Sequence, residues 1–422
     1  MSRSFRQALA LGLAAEPSSA ANDAIERPRQ AAIETLKPSR KDLEHGLELH
    51  ANSLVIESYG FSPTSATDGD RMRAAIEAGA SAVELEDLQE EMNMTRHVTV
   101  AAEQQEYKEA WEASGVTCIL QNAGAEGQDP PSLMKRLARF TYVTDMLRDF
   151  VFKAATPSDI VEARRQKKHC LYFSGNSVPL AQQWNSVKEE LAFIRLFFQM
   201  GVRMMHLTYN RRNMLADGCG EASNGGLSDL GRAAITEMNR LGVIVDVAHT
   251  GWKSSFEAAK ASSRPMVASH SGCVSLHHHI RSKPDDVIRA IADTGGYVGV
   301  LSISSFLGRS RDLNAMLDHI DYIVKHYGAD HAAIGTDLAY RSRLNAEGRK
   351  APPRPKSRPG FEGLWPGDSY TSGAQHASLA WINWPLFTVG MVQRGHSDQD
   401  IQKILGGNVL RVARAVFPNA GG

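Results

Sequence analysis

Three apolar, β-branched segments of the sequence end in side chains that could do chemistry: His249, His270 and Asp337. Neutral imidazole is the commonest protein ligand for zinc-like ions, so His249 and His270 on consecutive segments predict a metal-binding pair. A carboxylate facing them, Asp337, could orient or deprotonate a metal-bound water. A single histidine at a strand end is more often a hydrogen-bonded structural residue. Two such histidines together with the carboxylate favour a site.

One arginine and several other histidines lie near these segments. Arg281 follows the histidine run 277–279. Its guanidinium could bind a carboxylate through two parallel hydrogen bonds, and a surface salt bridge is the alternative. Three consecutive residues cannot all face one ion, so we interpret 277–279 as a polar loop. His319 and His326 share one face of a predicted outer helix, and we predict that both are helix-surface residues.

Eight short apolar segments alternate with segments of helical spacing. The predicted strands cover residues 53–57, 116–121, 170–173, 203–208, 243–248, 266–269, 297–303 and 332–335. Strands that alternate with helices favour parallel βαβ units. Eight such units predict an α/β protein with a closed (β/α)₈ TIM-type barrel, and a doubly wound sheet is the alternative. Barrel active sites are built from the carboxyl ends of the strands, which is where the three candidate residues are expected.

The same pattern sets the predicted domain organisation. We predict a polar N-terminal arm at 1–40 and one barrel domain at 41–418, with a helical insertion at 65–112 after the first strand. A long loop rich in proline and glycine is expected at 341–380, after the last strand. Loops of this length are usually functional lids or disordered segments. Four aromatic residues could line the mouth of the barrel or pack in its core: Trp365, Tyr370, Trp381 and Trp384.

Composition favours a small-molecule partner. The 422 residues include 47 Lys and Arg against 47 Asp and Glu, with no basic run that would suggest nucleic acid. The four cysteines form no C-x-x-C pair, which is typical of free thiols in a reducing compartment. The sequence contains no stretch of about 20 apolar residues, so no membrane span is expected. An alanine-rich run at 8–15 loosely resembles a signal peptide, so we predict a cytoplasmic location with export as the alternative.

Several motifs, in the same order along the chain, resemble the membrane (renal) dipeptidase family, peptidase family M19. They include Ala-Ser-His-Ser at 268–271, Ala-Ala-Ile-Gly-Thr-Asp at 332–337 and Ile-Leu-Gly-Gly-Asn-Val-Leu-Arg at 404–411. The segments 201–213 and 237–249 also resemble family signatures. The resemblance implies a barrel like those of metallo-dependent hydrolases. It also implies a dipeptidase with two zinc ions bridged by a glutamate, often in a homodimer.

The resemblance also implies roles for individual residues. His249 and His270 match two ligands of one zinc ion. Asp337 matches the acidic residue that handles the catalytic proton, and Arg281 matches the arginine that holds the substrate carboxylate. Asn210 ends the segment that matches the family's Leu-Thr-His-Asn, and we expect it to bind substrate.

Other family positions are changed. The first strand of the family ends in Asp-Gly-His-x-Asp, and here Tyr59 and Phe61 replace the two zinc ligands. The bridging glutamate is replaced by Ser174, the substrate-facing histidine by Tyr209, and the second aspartate of Asp-Phe-Asp-Gly by Ala339. Phenylalanine has no lone pair for a metal and serine is a poor ligand beside a carboxylate. The sequence therefore predicts a degraded metal site with one zinc ion at most.

Three functions are compatible with this pattern. The first, which we take as the leading hypothesis, is a hydrolase of a dipeptide or related small amide that uses one metal ion at His249 and His270. The second is a repurposed enzyme, with or without a metal, in which Tyr59 and Tyr209 join Asp337 in acid–base chemistry. A tautomerase, cyclase or lyase acting on a peptide-derived metabolite would fit. The third is a non-catalytic binding protein. Each would take a small molecule with a carboxylate.

Overall fold

The computed structural model describes residues 22–124, 129–345 and 374–417, and parallel strands form its centre. The strands are β1 Ile56–Gly60, β2 Cys118–Asn122, β3 Val151–Lys153, β4 His169–Gly175, β5 Val202–His206, β6 Ile244–Asp246, β7 Val267–Cys273, β8 Ser282–Lys283, β9 Tyr297–Val300 and β10 Ala332–Ile334. Eight of them pair in the order β1-β2-β4-β5-β6-β7-β9-β10, while β3 extends β4 and β8 pairs with β7. Every pair is parallel.

The ends of this sheet approach each other and form a nearly closed barrel. Beyond the last strand, the N–H of Asp337 donates to the carbonyl of Tyr59 at 3.2 Å. The N–H of Phe61 donates to the carbonyl of Leu338 at 3.3 Å, which joins the first and last strands again. All eight predicted strands are present, so the prediction of a TIM-type (β/α)₈ barrel is confirmed. The short strands β3 and β8 were not predicted.

Helices surround the barrel and follow its strands. They are α1 Asp23–Leu36, α2 Arg40–Asn52, α3 Gly69–Glu77, α4 Ala82–Thr99, α5 Ala101–Ser114, α6 Pro130–Met146, α7 Pro157–Gln166, α8 Val187–Gln199, α9 Asp229–Leu241, α10 Trp252–Ala261, α11 Asp285–Asp293, α12 Ser304–Leu307, α13 Leu313–Tyr327, α14 Trp384–Gln393, α15 Asp398–Gln402 and α16 Asn408–Val416. A π-helical turn, Lys403–Gly407, precedes α16. Within the described ranges, no helix is both long and apolar enough to cross a membrane.

The helical insertion predicted at 65–112 consists of α3, α4 and α5. Helix α4 begins at a capping box, in which the Ser81 hydroxyl accepts from the N–H of Glu84 while the Glu84 carboxylate accepts from the N–H of Ser81. These reciprocal bonds satisfy two amide groups that the first helical turn leaves without partners. The local sequence therefore fixes where this helix starts.

The N-terminal segment differs from its prediction as a polar arm. Residues 23–36 form α1, in which Ile25 and Ala32 are buried, and the side chain of Asn383 donates to the carbonyl of Pro28 at 2.9 Å. The two buried residues are seven positions apart, or about two helical turns, so they lie on one face. An internal proline and few apolar residues hid this period in the sequence. Residues 1–21, including the alanine-rich run, lie outside the described residues.

The structure leaves one aromatic prediction outside the described residues, decides a second and contradicts a histidine prediction. Of the loop predicted at 341–380, residues 346–373 lie outside the described residues, and Trp365 and Tyr370 with them. Trp381 and Trp384 are buried in the core and do not line the mouth. His319 is buried, so its prediction as a helix-surface residue is wrong, because its Nδ1 accepts from the N–H of Cys273 at 3.0 Å.

A buried carboxyl group on β1 links the barrel to the C-terminal segment. Glu57 accepts from the N–H of Thr336 at 2.7 Å and from Nε1 of Trp381 at 2.5 Å. Burial raises the pKa of Glu57 from 4.5 to about 8. The folded protein therefore holds this proton across a pH range in which the unfolded chain has released it.

We expect Glu57→Gln to flatten the pH dependence of stability. A raised carboxyl pKa contributes stability below pH 4.5 that is lost as pH rises through about 8. For the wild-type protein, this loss is on the order of a few kcal/mol in the free energy of unfolding. Urea unfolding between pH 5 and 9 measures it. Equal slopes for the wild type and Glu57→Gln would contradict the assignment.

Candidate active site

Two of the predicted site histidines meet at the carboxyl end of the barrel. His249 lies three residues beyond the end of β6, and His270 lies within β7. Their Nε2 atoms are 2.9 Å apart, and both side chains are buried. The structure therefore brings together the pair that the sequence predicts.

Neighbouring side chains fix the orientation of both imidazoles. Nδ1 of His249 donates to Oδ1 of Asn210 at 2.7 Å, because an amide oxygen only accepts. Neutral His249 therefore presents an Nε2 lone pair towards His270. Nδ1 of His270 is 2.8 Å from the Ser269 hydroxyl, and the ring of Tyr209 stacks on His249 at a centroid distance of 4.2 Å. Asn210 is fully buried in this contact, and its binding of substrate stays a prediction.

Two further residues, which the sequence analysis missed, lie beside this pair. His206 ends β5 and Asp246 ends β6, and the two residues face each other in the strand register. Nε2 of His206 is 2.6 Å from Oδ2 of Asp246. The side chains of His206, Asp246 and His270 bring three possible ligand atoms within 4.8 Å of one another.

Tyr59 covers the histidines from the side of β1. Its ring stacks on His270 at a centroid distance of 3.9 Å and lies 5.1 Å from the ring of His206. Its hydroxyl donates to Oδ1 of Asn176 at 2.5 Å. Burial, reinforced by Asp337 and Asp246, raises the pKa of Tyr59 well above 10. Tyr59 is therefore a hydrogen-bond donor at neutral pH rather than a base.

Asp337 lies at the carboxyl end of the barrel, three residues beyond β10. Its φ of 59° is in the left-handed region, which few non-glycine residues adopt and which is frequent at functional sites. Burial raises the pKa of Asp337 to about 6, against the opposing influence of Arg281 and His206. A carboxyl group with this pKa can both accept and donate a proton near neutral pH.

Arg281 supplies a buried positive charge next to the pair. Nη2 of Arg281 donates to the carbonyl of His270 at 3.3 Å, and its backbone N–H donates to Nδ1 of His279 at 3.1 Å. His279 thus has a structural contact within the run that we interpreted as a polar loop. Burial, followed by the charge of Arg281, lowers the pKa values of His249 and His270 well below 6.5. Both imidazoles are therefore neutral, which is the form that binds metal or accepts a proton.

The family's two-zinc centre does not fit the residues present. Phe61 packs edge-on against Tyr59 at a centroid distance of 5.9 Å, and neither side chain offers a carboxylate or an imidazole. The hydroxyl of Ser174 is buried, and it has no hydrogen-bond partner in the part of the chain that the structure describes. These three positions therefore supply none of the carboxylate or imidazole ligands that the family resemblance implies for them.

A cavity of about 330 Å³ opens beside Phe61, between β1, β2 and the helical insertion. Its apolar part includes Phe61, Met94 and Phe140, and its polar part includes Gln121 and Asn122 at the end of β2. Phe61 thus gives the site an apolar neighbour.

Fold and site together define a parallel barrel with histidines and carboxylates gathered at one end, as in metallo-dependent hydrolases. The sequence matches the family described as Membrane dipeptidase (Peptidase family M19) over residues 44–343. The chain therefore belongs to this family, as the sequence motifs predicted.

Individual relatives agree with this assignment. The chain is 26% identical over 279 residues to dipeptidase tcpJ of Claviceps purpurea (strain 20.1), covering 65% of this chain and 57% of that protein. It is 30% identical over 226 residues to dipeptidase verJ of Clonostachys rogersoniana, covering 53% and 50%. The chain thus spans about half the length of these relatives. A crystal structure of an amidohydrolase from Pseudomonas aeruginosa, 23% identical, covers 88% of this chain and 99% of its own with a TM-score of 0.63, which supports the fold.

Proposed function

We propose that the chain hydrolyses the amide bond of a dipeptide or related small amide that carries a carboxylate. The observation that carries this proposal is the 2.9 Å approach of His249 and His270 at the same end of the barrel as Asp337, whose pKa of about 6 suits proton transfer. Family membership supports the same class of reaction. The cavity beside Phe61 offers space for an apolar substrate side chain.

Each residue has a distinct part in the proposed reaction. Arg281 binds the substrate carboxylate and sets the position of the amide relative to the histidine pair. Asp337 takes a proton from the attacking water and returns it to the leaving amine. Tyr59 and Tyr209 close the sides of the site, and Tyr59 keeps its proton throughout.

The site holds one zinc ion at most in this proposal, with His249 and His270 as the ligands that the family resemblance implies. A zinc ion bound there would supply an acidified water and polarise the amide carbonyl. The side chains of Tyr59, Phe61 and Ser174 support fewer bound zinc ions than the two that the family resemblance implies.

A screen of dipeptides and N-acyl amino acids, followed by mass spectrometry, tests the proposal. We expect two products whose masses add up to substrate plus one water. His249→Gln should abolish product formation, because it removes one side of the pair, whereas His326→Gln on the exposed face of α13 should not. Absence of cleavage across the panel by the folded protein, or equal rates for His249→Gln and the wild type, would contradict the proposal.

A second function, non-hydrolytic proton transfer, is favoured by one specific contact. The phenol of Tyr59 stacks on His270, and the pair places a donor and an acceptor side by side without any metal. A tautomerase or cyclase of this kind would give a product of unchanged mass in the same screen. A lyase would give fragments whose masses add up to the substrate alone.

A further inference from the structure

The three side chains of His206, Asp246 and His270, here called the inner cluster, form the most concentrated polar group inside the barrel. Each is 0% exposed. One ligand atom from each lies within 4.8 Å of the other two. His206 and Asp246 end their strands, whereas His249 lies beyond the end of β6, so the cluster is set deeper in the barrel than His249.

Several atoms of the inner cluster lack the partners that burial demands. Both ring nitrogens of His206 and Oδ2 of Asp246 have no hydrogen-bond partner among the described residues. Nε2 of His206 and Oδ2 of Asp246 form an ion-pair contact of 2.6 Å with each other, so Nδ1 of His206 is the cluster atom with neither kind of contact among these residues. Leaving a buried polar group unpaired costs about 1–3 kcal/mol. A cation between these atoms would satisfy them.

The surroundings hold the cluster in a ligand-like arrangement. Oδ1 of Asp246 accepts from the N–H groups of Ala248 and Ser269, both at 3.0 Å, which leaves Oδ2 directed at His206. The Ser269 hydroxyl is 2.8 Å from Nδ1 of His270, so Nε2, which faces Nε2 of His249 at 2.9 Å, is the nitrogen of His270 that could bind an ion. Outer contacts of this kind orient metal ligands in proteins.

We infer that the inner cluster binds one divalent transition-metal ion, with His206, Asp246 and His270 as its ligands. Two imidazole nitrogens and one carboxylate oxygen are the donor set of many catalytic zinc sites, which leave a fourth position open. Only His270 is shared with the ligands that the family resemblance implies. The ion would thus occupy a site formed by β5, β6 and β7, with Tyr59 on β1 stacked against it.

A catalytic role for this ion rests on the proposed hydrolase function, whereas the binding of the ion by the cluster does not. Tyr59 covers the cluster, and His249 lies beside it with Nε2 facing His270. An ion in the cluster would therefore be next to the predicted histidine pair. Binding can be measured directly, without any substrate.

The test uses the full chain, purified without a histidine tag, stripped of metal and equilibrated with Co²⁺ or Zn²⁺. Elemental analysis should give about one ion per chain, and bound Co²⁺ should show the visible absorption of a low-coordinate site. His206→Gln and Asp246→Asn should each weaken Co²⁺ binding by at least about 100-fold, the upper end of the effect of altering outer contacts. His326→Gln, which removes an exposed imidazole, should bind like the wild type.

Two results would overturn the inference: no bound ion in the wild type, or unchanged Co²⁺ affinity in a folded His206→Gln. X-ray absorption of the zinc complex of folded His249→Gln provides a second test. Two imidazoles and one carboxylate around a single zinc in this variant support the inner cluster, whereas loss of an imidazole or of the ion contradicts it. Metal binding without amide cleavage would leave the inference standing and remove the proposed function. Amide cleavage by protein that binds no metal would support the proposed function and remove the inference.

Discussion

Replacing Asp337 by asparagine is expected to lower the turnover of the amide substrate by about 100- to 10,000-fold, the range for loss of a general acid or base. Asparagine keeps the size of the side chain but cannot take up or release the proton. Asp337 occupies a strained backbone position at the barrel mouth, and asparagine tolerates a left-handed φ as well as aspartate does. The protein should therefore stay folded, with substrate binding close to that of the wild type.

The pH profile separates this role from a structural one. Asp337 acts as a base in its charged form, so kcat/KM should rise with pH up to about 6 and then level off. This rising limb should be absent in Asp337→Asn. Asp145→Asn, which alters an exposed aspartate on α6, should keep both the rate and the limb. An unchanged limb in Asp337→Asn would assign the proton transfer to another group.

Replacing Arg281 by lysine is expected to lower kcat/KM for carboxylate-bearing substrates by about 100-fold. Loss of a two-point contact with a carboxylate removes on the order of 3 kcal/mol, and each 1.4 kcal/mol is a factor of ten. Lysine keeps the charge but lacks the planar fork. Arg281 is fully buried, so the conservative variant is preferable to alanine.

The control for this prediction is a substrate whose carboxylate is replaced by a carboxamide. Wild type and Arg281→Lys should cleave it at similar rates, because neither can form the charged pair. Arg27→Lys, on the exposed surface of α1, should behave as the wild type with both substrates. An equal loss on both substrates would show that Arg281 acts instead by holding the carbonyl of His270.

The sequence was sufficient for the barrel because fully buried parallel strands are continuous apolar runs and are easy to recognise. It also located His249, His270 and Asp337 at or just beyond the ends of such runs, and their roles stay predictions. It was not sufficient for the strand boundaries. The fourth predicted run ends at residue 208 and the fifth at 248, whereas the corresponding strands, β5 and β6, end at His206 and Asp246.

This error of two residues is the reason that the inner cluster was missed. A polar residue inside a predicted strand was treated as part of the strand, although the same residue at a strand end marks the barrel mouth. Applying the strand-end rule to every polar residue in the last half of each run would have found both His206 and Asp246. The pairing of His206 with Asp246 depends on register between strands, which local sequence does not contain.

The differences between prediction and structure at His319 and at α1 have one physical cause. In both places, contacts with distant parts of the chain bury residues that the polar local sequence predicts to be exposed. His319 has its own carbonyl and amide partners inside the protein, and α1 buries only two residues while its other side chains stay polar. Trp381 was assigned either to the mouth or to packing, and its bond to Glu57 decides for packing.

Hydrolysis itself is tested most directly by the reaction of a cleaved substrate in water enriched in ¹⁸O. Amide hydrolysis adds one solvent oxygen to the newly formed carboxylate. We predict that the acid product of the wild-type reaction carries one ¹⁸O atom per turnover and that the amine product carries none. A product without solvent oxygen would contradict the hydrolase and assign the site to proton-transfer or elimination chemistry.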